Sequence, residues 1–147
     1  MPKIILCRGI QGSGKTTWAR KWVLEDPEHR VRFNNDDIRN MLGKYWVTSR
    51  ESLVRFLRDS FVHKAMDDGY DIVIDNMNLS SHEYVAYRDM AAHHDRFEDD
   101  SCKHYIIEYK DFFTPLEVCI ERDSKRENPI GEEVIRATYE KYKHIIG

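Results

Sequence analysis

The chain has 147 residues, a formal net charge of −3 at pH 7 and 33% charged residues. This length suits a single domain over residues 1–147, which can bury one core without disulfides or a structural metal. The acidic balance argues against indiscriminate coating of DNA or RNA, although a few arginines in a cleft would still hold one strand end. No apolar stretch approaches the roughly 20 residues of a membrane span, so we expect a cytoplasmic protein with no membrane partner.

The N-terminal segment combines an apolar run with a glycine-rich loop. "KIILCR", residues 3–8, is typical of a buried parallel strand. The following "GIQGSGKTTW" satisfies the spacing G-x-x-x-x-G-K-[ST] from Gly9 to Thr16, and "TTWARKWVL" then has apolar residues at helical spacing. A strand, a glycine turn and a helix N-terminus would together hold a polyphosphate at the positive end of the helix dipole. The sequence therefore predicts a site for ATP or another nucleoside triphosphate.

Within this loop the residue types match the parts of a nucleotide. The Lys15 ammonium would neutralise the β- and γ-phosphates, and the Thr16 hydroxyl would ligate the Mg²⁺ that accompanies them. We therefore expect Mg²⁺ as the metal and Lys15 as a catalytic residue. The predicted nucleotide-binding residues of the loop are Gly12, Ser13, Gly14, Lys15, Thr16 and Thr17.

Strands and helices are predicted to alternate along the rest of the chain. A second strand is expected at Val31–Asn34, followed by a helix that begins with "DDIRNML". A long helix is expected from a cap at Ser49 to a stop at Gly69, because apolar residues recur on one face. These apolar residues are Leu53, Val54, Leu57, Phe61, Val62, Ala65 and Met66. The remaining predicted elements are a strand at 70–75, a helix at 80–94, an acidic loop around Asp99, a strand at 103–110, and helices beginning near Thr114 and Gly131. This alternation predicts an α/β fold with a parallel four-stranded sheet and helices on both faces.

Candidate acceptor-binding residues follow the second strand. In "NNDDIR", Asp36 lies at the start of the predicted helix and Arg39 lies one turn further on. Ligands of such sheets bind beyond the carboxyl ends of the strands. Asp36 would then face the γ-phosphate and accept a proton from an attacking hydroxyl, while Arg39 would hold an anionic acceptor. The structural alternative is a helix-capping aspartate and an ordinary i,i+3 ion pair.

Asp75 ends the predicted third strand "YDIVID" and precedes "NMNLS". Its place resembles that of a Walker B aspartate, which would position Mg²⁺ or the acceptor. The alternative is that its side chain caps the next turn.

The segment "CIERDSKRENPIG" places Arg122, Lys125 and Arg126 near a helix end, shortly before a proline and a glycine. Such cations also favour a helix C-terminus for purely structural reasons. The functional interpretation is a lid at about 122–131 that closes over the phosphates and excludes water. Its arginines, with Arg126 as a catalytic residue, would stabilise charge in the transition state.

Two further features of the sequence leave alternatives open. Tyr45 and Trp46, beside Lys44, would either stack on a nucleic-acid base or belong to the core. The cysteines are three in number and show no C-x-x-C spacing, so we interpret them as buried or unreactive thiols. They are Cys7, Cys102 and Cys119.

In combination these motifs resemble the kinase domain of the phage 5′-hydroxyl polynucleotide kinases, which heal broken nucleic-acid ends. The resemblance spans nearly the whole chain. The motifs that carry it are "KIIL" with "G..GSGK.TWAR", "N.DD.R" after the second strand, "DNMNL" at the end of the third, and "R.SKR" in the lid. It implies a P-loop kinase fold with an arginine-bearing lid that uses ATP and Mg²⁺ to phosphorylate the 5′-hydroxyl end of DNA or RNA.

The resemblance also implies roles for individual residues. Asp36 would be the general base, and Arg39 would bind the 3′-phosphate of the acceptor nucleotide. Asp75 would line the acceptor site. Arg122 and Arg126 would grip the ATP phosphates.

One departure from the family pattern bears on partners. The phage enzyme continues into a phosphatase domain with a D-x-D-G-T motif, which this sequence does not contain. A separate phosphatase or ligase partner, or a longer native protein, is therefore expected, in a bacterial or phage-infected cell. The competing functions are a P-loop kinase with a small-molecule acceptor and a nucleotide-binding switch module.

Overall fold

The computed structural model describes residues 2–97 and 104–146, in which strands and helices alternate. The strands are β1 (Lys3–Arg8), β2 (Arg30–Phe33), β3 (Asp71–Ile74) and β4 (Ile106–Asp111). The helices are α1 (Lys15–Glu25), α2 (Asn35–Met41), α3 (Glu51–Asp67), α4 (Ser81–Phe97), α5 (Leu116–Ser124) and α6 (Glu132–Ile146). A 3₁₀ turn at Thr48–Arg50 leads into α3. The predicted order of elements is thus confirmed.

The four strands form one parallel sheet in the order β2-β3-β1-β4. On β1, Ile4 is aligned with Ile72 of β3 and with Ile107 of β4. The central strands β1 and β3 are short apolar runs because both of their faces are covered, as is typical of parallel sheets. The chain leaves β1 toward β2 on one side and reaches β4 on its other side, so the topological switch point lies between β1 and β3. In open α/β sheets, ligands bind at the carboxyl ends of the strands at this point.

Helices cover both faces of the sheet, as predicted. Alternate residues of a strand point to opposite faces, so Ile4 and Leu6 join a cluster with α3 and α4, whereas Ile5 and Cys7 join a cluster with α1. A third apolar cluster joins α5 and α6 to the loops beyond the strand ends. Its buried members are Ile10, Leu79, Cys119 and Ile135. This third cluster attaches α5, and with it Arg122, to the glycine loop.

The long helix α3 differs from its prediction at the N-terminal end. Ser49 does not cap it, because Ser49 belongs to the 3₁₀ turn, in which the Arg50 N–H donates to the Val47 carbonyl at 2.8 Å. Leu53, predicted on the apolar face, is 42% exposed. At the other end, Gly69 with a φ of +80° follows the helix as predicted, since glycine adopts this left-handed conformation without strain.

Two cysteines fit their prediction, since Cys7 and Cys119 are buried free thiols. Cys102 and the predicted loop around Asp99 lie outside the described residues. Among residues 2–97 and 104–146, no helix combines the length and the apolar character needed to cross a membrane.

Candidate active site

Three predicted motifs meet at the carboxyl ends of β1, β2 and β3. The N–H of Gly9, in the glycine loop, donates to the Met77 carbonyl at 3.2 Å. The Asn34 side chain donates to the Asp75 carbonyl at 2.5 Å, and the Asn35 N–H donates to the side-chain oxygen of Asn76 at 2.9 Å. Hydrogen bonds therefore connect the glycine loop, "DNMNLS" and "NNDDIR" into one site.

Asn78 is a structural member of this site that sequence reasoning did not single out. Its side-chain amide is buried and donates to the Cys7 carbonyl at 2.7 Å and to the Ile74 carbonyl at 3.0 Å. It also has a positive φ of 52°, a conformation that asparagine tolerates better than most residues. Asn78 thus joins the ends of β1 and β3, directly below the glycine loop.

The glycine loop has the backbone that a phosphate-binding loop requires. Gly12 and Gly14 have φ values of +77° and +99°, and Gly14 immediately precedes α1. A Cβ on Gly12 would lie 2.6 Å from the Cys119 carbonyl, so only glycine lets α5 approach the loop this closely. The first amides of α1, which have no intrahelical acceptors, are available to an anion at the positive end of the helix.

Lys15 is buried at the base of this loop. Its ammonium donates to the carbonyls of Gly9 at 3.0 Å and Ile10 at 2.7 Å, and lies 3.4 Å from the Ser13 hydroxyl. Burial lowers the pKa of Lys15 from 10.5 to about 8, against the raising influence of the Asp75 carboxylate. A phosphate group beside the ammonium would supply the negative charge that the loop carbonyls offer only as dipoles.

An open cavity of about 680 Å³ lies over the loop. It is lined by the loop, by Trp18 and Lys21 of α1, by Phe112 and Thr114 after β4, and by Arg122 and Arg126. Among the described residues that line it, four carry a cation and none carries a carboxylate. This lining fits a polyanion such as the triphosphate of ATP, and Thr16 in the same lining is the hydroxyl available to its Mg²⁺.

The basic segment predicted as a lid contributes to this cavity. Arg122 donates to the Gly12 carbonyl at 3.2 Å, and Arg126, which is half-exposed, lies 4.0 Å from Asp123. Asp123 is buried, and its two oxygens accept hydrogen bonds from the N–H groups of Ile130 and Gly131 at 3.0 and 2.9 Å. Sequence reasoning missed Asp123, which holds the two ends of the segment together.

Asp36 and Arg39 form the ion pair that the sequence allowed. Arg39 Nη1 lies 2.7 Å from Asp36 Oδ1, and the Asp36 side chain is 49% exposed. The helix cap itself is Asn34, whose side chain accepts from the Asp37 N–H at 2.9 Å. Asp36 therefore does not cap α2, and its carboxylate remains accessible to a substrate hydroxyl.

Glu51, at the start of α3, is a second partner of Arg39 that sequence reasoning missed. The guanidinium donates to both of its carboxylate oxygens, from Nε at 3.1 Å and from Nη2 at 2.7 Å. These hydrogen bonds raise the pKa of Arg39 and lower the pKa of Glu51. A bidentate partner fixes the plane of the guanidinium, so Arg39 is held in one orientation beside Asp36.

Asp75 is buried and bound to Arg32, another residue that was not predicted. Arg32 Nε donates to Asp75 Oδ2 at 2.8 Å, and Arg32 Nη1 donates to Asp37 Oδ2 at 2.7 Å. The other oxygen of Asp75, Oδ1, is buried and has no hydrogen-bond partner among the described residues. The signal that could have revealed Arg32 is its place in "RVRF", a strand whose end is flanked by carboxylates. The Asp75 side chain thus forms an ion pair instead of capping the next turn.

Comparison with known proteins assigns the chain to a family. A sequence model of the AAA domain family matches residues 4–145. The chain belongs to this family. The assignment is consistent with the glycine loop and sheet described above, and the predicted P-loop kinase fold is confirmed.

The relatives of the chain include a viral protein and a chain of an RNA repair complex. A protein of Autographa californica nuclear polyhedrosis virus, described as a candidate bifunctional polynucleotide kinase/RNA ligase, is 25% identical over 158 residues. The alignment covers 95% of this chain and 21% of the viral protein. A chain of the Pnkp1/Rnl/Hen1 RNA repair complex superposes with a TM-score of 0.77 at 22% identity, covering 97% of this chain and 44% of that one. The chain therefore spans less than half the length of these relatives.

Kinases of small molecules share the fold as well. The APS kinase CysC of Mycobacterium tuberculosis, in complex with AMPPNP and APS, superposes with a TM-score of 0.59 at 19% identity, covering 84% of this chain and 69% of that one. At this identity the similarity concerns the fold alone, so the acceptor must be argued from the site itself.

Proposed function

We propose that the chain is an ATP- and Mg²⁺-dependent kinase that phosphorylates the 5′-hydroxyl end of DNA or RNA. The observation that carries the proposal is the position of the Asp36–Arg39 pair. It lies at the start of α2, and hydrogen bonds through Asn35 and Asn76 link that start to the segment that contacts the glycine loop. A proton acceptor and a cation thus lie on a segment that hydrogen bonds connect to the glycine loop, and transfer to a hydroxyl next to a phosphate requires both groups.

The proposed reaction assigns a role to each predicted residue. The oxygen of the 5′-hydroxyl bonds to the γ-phosphorus while Asp36 accepts the hydroxyl proton. The bond between the γ-phosphorus and the β–γ bridging oxygen breaks, which releases ADP. Lys15 and the cations of the lid segment, Arg122 and Arg126, stabilise the negative charge on the phosphates. Bound Mg²⁺ would neutralise further charge there, with the Thr16 hydroxyl as a ligand.

Arg39 is suited to bind the phosphate that follows the first nucleoside of the acceptor. In the part of the chain that the structure describes, three of its five N–H donors contact carboxylates, so the other donors can serve a phosphate or the neighbouring Tyr45 hydroxyl. The orientation of these donors is fixed by Glu51 before any substrate binds. We propose that Asp75, which follows β3, lines the acceptor site.

The relatives suggest a setting for this activity. One is described as combining a polynucleotide kinase with an RNA ligase, and another belongs to an RNA repair complex. We propose that the 5′-phosphate made by this chain is consumed by a ligase, either on another polypeptide or in a longer protein.

The proposed function is tested by offering labelled ATP with 5′-hydroxyl oligonucleotides of DNA and RNA and, separately, with small hydroxyl acceptors such as gluconate and shikimate. Label on the oligonucleotide end, absent with the Lys15→Ala variant, is the expected result. Label on a small acceptor alone would assign the chain to the small-molecule kinases. ATP hydrolysis without any labelled acceptor would favour a nucleotide-dependent switch.

A further inference from the structure

Two adjacent aromatic side chains lie exposed between α2 and the 3₁₀ turn. Tyr45 is 47% exposed and Trp46 is 50% exposed, so the alternative that they belong to the core is wrong. Arg50 donates to the Leu42 carbonyl at 2.6 Å, and the Trp46 indole N–H donates to the Thr48 hydroxyl at 3.3 Å. The segment is therefore held at both ends while its aromatic rings face solvent.

The two rings adjoin the candidate acceptor site. The guanidinium carbon of Arg39 lies 5.1 Å from the centroid of the Trp46 ring and 6.0 Å from that of the Tyr45 ring. The Tyr45 ring and the Asp36 carboxylate both lie beside the Arg39 guanidinium, and burial and this carboxylate raise the pKa of Tyr45. A molecule that contacts both Asp36 and Arg39 would thus have these rings at its side.

The chemistry of this corner matches a nucleotide better than a small polar acceptor. Hydrogen bonds to Asp36 and Glu51 already hold the Arg39 guanidinium, so the aromatic rings are not needed to keep it in place. A cation for a phosphate next to exposed aromatic faces is the combination by which proteins hold single-stranded nucleic acid, with the base stacked on the ring. Sugar acids such as gluconate have no flat aromatic surface to stack on such rings.

We propose that Tyr45 and Trp46 form a stacking platform for the base of the 5′-terminal nucleoside of the acceptor strand. The inference rests on the proposed function and adds the group that distinguishes a nucleic-acid end from an acceptor that has no base. Arg39 would hold the following phosphate, and the platform would orient the nucleoside so that its 5′-hydroxyl meets Asp36.

The test uses Trp46, because Tyr45 lies too close to the general base for a clean substitution. Trp46→Ala should weaken use of a 5′-hydroxyl oligonucleotide roughly 5- to 140-fold in kcat/KM, as expected for the loss of one base–aromatic stack. The same variant should lose little on an oligonucleotide whose 5′-terminal residue has no base. Trp46→Phe should retain most of the activity and Trp46→Leu should not, since leucine keeps apolar bulk without a π-face. Leu24→Ala, at a 76% exposed position on α1, is the matched surface control.

Tryptophan fluorescence without ATP gives a readout that does not depend on turnover. An oligonucleotide should quench the emission of the wild-type protein, and the quenching should be lost in Trp46→Phe. Suppose that the wild-type protein labels the oligonucleotide, but that Trp46→Ala loses no activity or loses equal activity on oligonucleotides with and without a 5′-terminal base. This result would overturn the platform and leave the proposed function standing. Quenching without any labelling would support the platform and overturn the kinase function. Neither quenching nor labelling would overturn both.

Discussion

Replacing Arg32 by methionine is expected to destabilise the fold more than the loss of an exposed ion pair would. Arg32 neutralises Asp75, whose side chain is only 1% exposed, through a hydrogen bond of 2.8 Å. Because Asp75 Oδ1 has no partner among the described residues, Arg32 is the principal contact that compensates this carboxylate. Removal of the guanidinium leaves the buried carboxylate without its hydrogen-bonded counter-ion, and among the described residues the Lys15 ammonium then acts on it only through space.

The size of the effect follows from the burial of the pair. Breaking a buried ion pair by removing one partner costs about 3–5 kcal/mol, whereas exposed pairs contribute about 0–1 kcal/mol. For a chain of this length 1 kcal/mol shifts Tm by about 2–4 °C, so Arg32→Met should lower Tm by about 6–20 °C. Asp75→Asn removes the charge that requires compensation. If the two losses were additive, the double variant would lose the sum of the two single changes in the free energy of unfolding. We expect it to lose at least about 2 kcal/mol less than that sum.

Urea unfolding of the wild type, both single variants and the double variant measures this coupling. The control is Lys64→Gln, which breaks an exposed i,i+4 pair between α3 and Asp68, the residue after that helix. It should change the free energy of unfolding by no more than about 0.5 kcal/mol. A coupling energy below about 0.5 kcal/mol between Arg32 and Asp75 would refute the reasoning, because it would mean that solvent compensates Asp75.

Three further predictions concern the site. The folded chain releases the Lys15 proton near its pKa of about 8, whereas the unfolded chain keeps it up to 10.5. Between about pH 7.5 and about pH 10 the wild type should therefore gain about 2 kcal/mol of stability relative to Lys15→Met. Urea unfolding at the two pH values measures this gain, and parallel changes in the two proteins would contradict it. In steady-state kinetics, Asp36→Asn should lower turnover by a factor of about 10² or more while ATP binding stays intact. Asp37→Asn, which loses a contact with Arg32, should lower turnover less, and the reverse order would exchange the roles of the two aspartates. Arg39→Gln should lower kcat/KM about 10- to 100-fold for an oligonucleotide or a nucleoside 3′-monophosphate, and should lower it little for a plain nucleoside, which has no phosphate. Equal losses with and without the phosphate would assign Arg39 to the donor phosphates or to the fold.

Much of the fold was predictable because its signals are local. The apolar run of β1, the glycine spacing and the helical periodicity of α1 are contiguous in the sequence, and each reflects a backbone preference that a few residues express by themselves. The prediction at Ser49 failed because a serine hydroxyl caps a helix only where the chain enters it directly, whereas here a 3₁₀ turn takes up that position.

The sequence by itself determined the order of elements, the glycine loop and the grouping of polar motifs at the strand ends, since parallel strands bring their carboxyl ends to one edge. Only the tertiary structure decided which charges pair. Arg32 meets Asp75 across 43 positions and Arg39 meets Glu51 across 12, because adjacent strands and crossing helices bring together side chains that no local pattern relates. The exposure of Trp46 was decided in the same way, since an aromatic residue is buried only where another element packs over it, and none of the described elements covers this side chain fully.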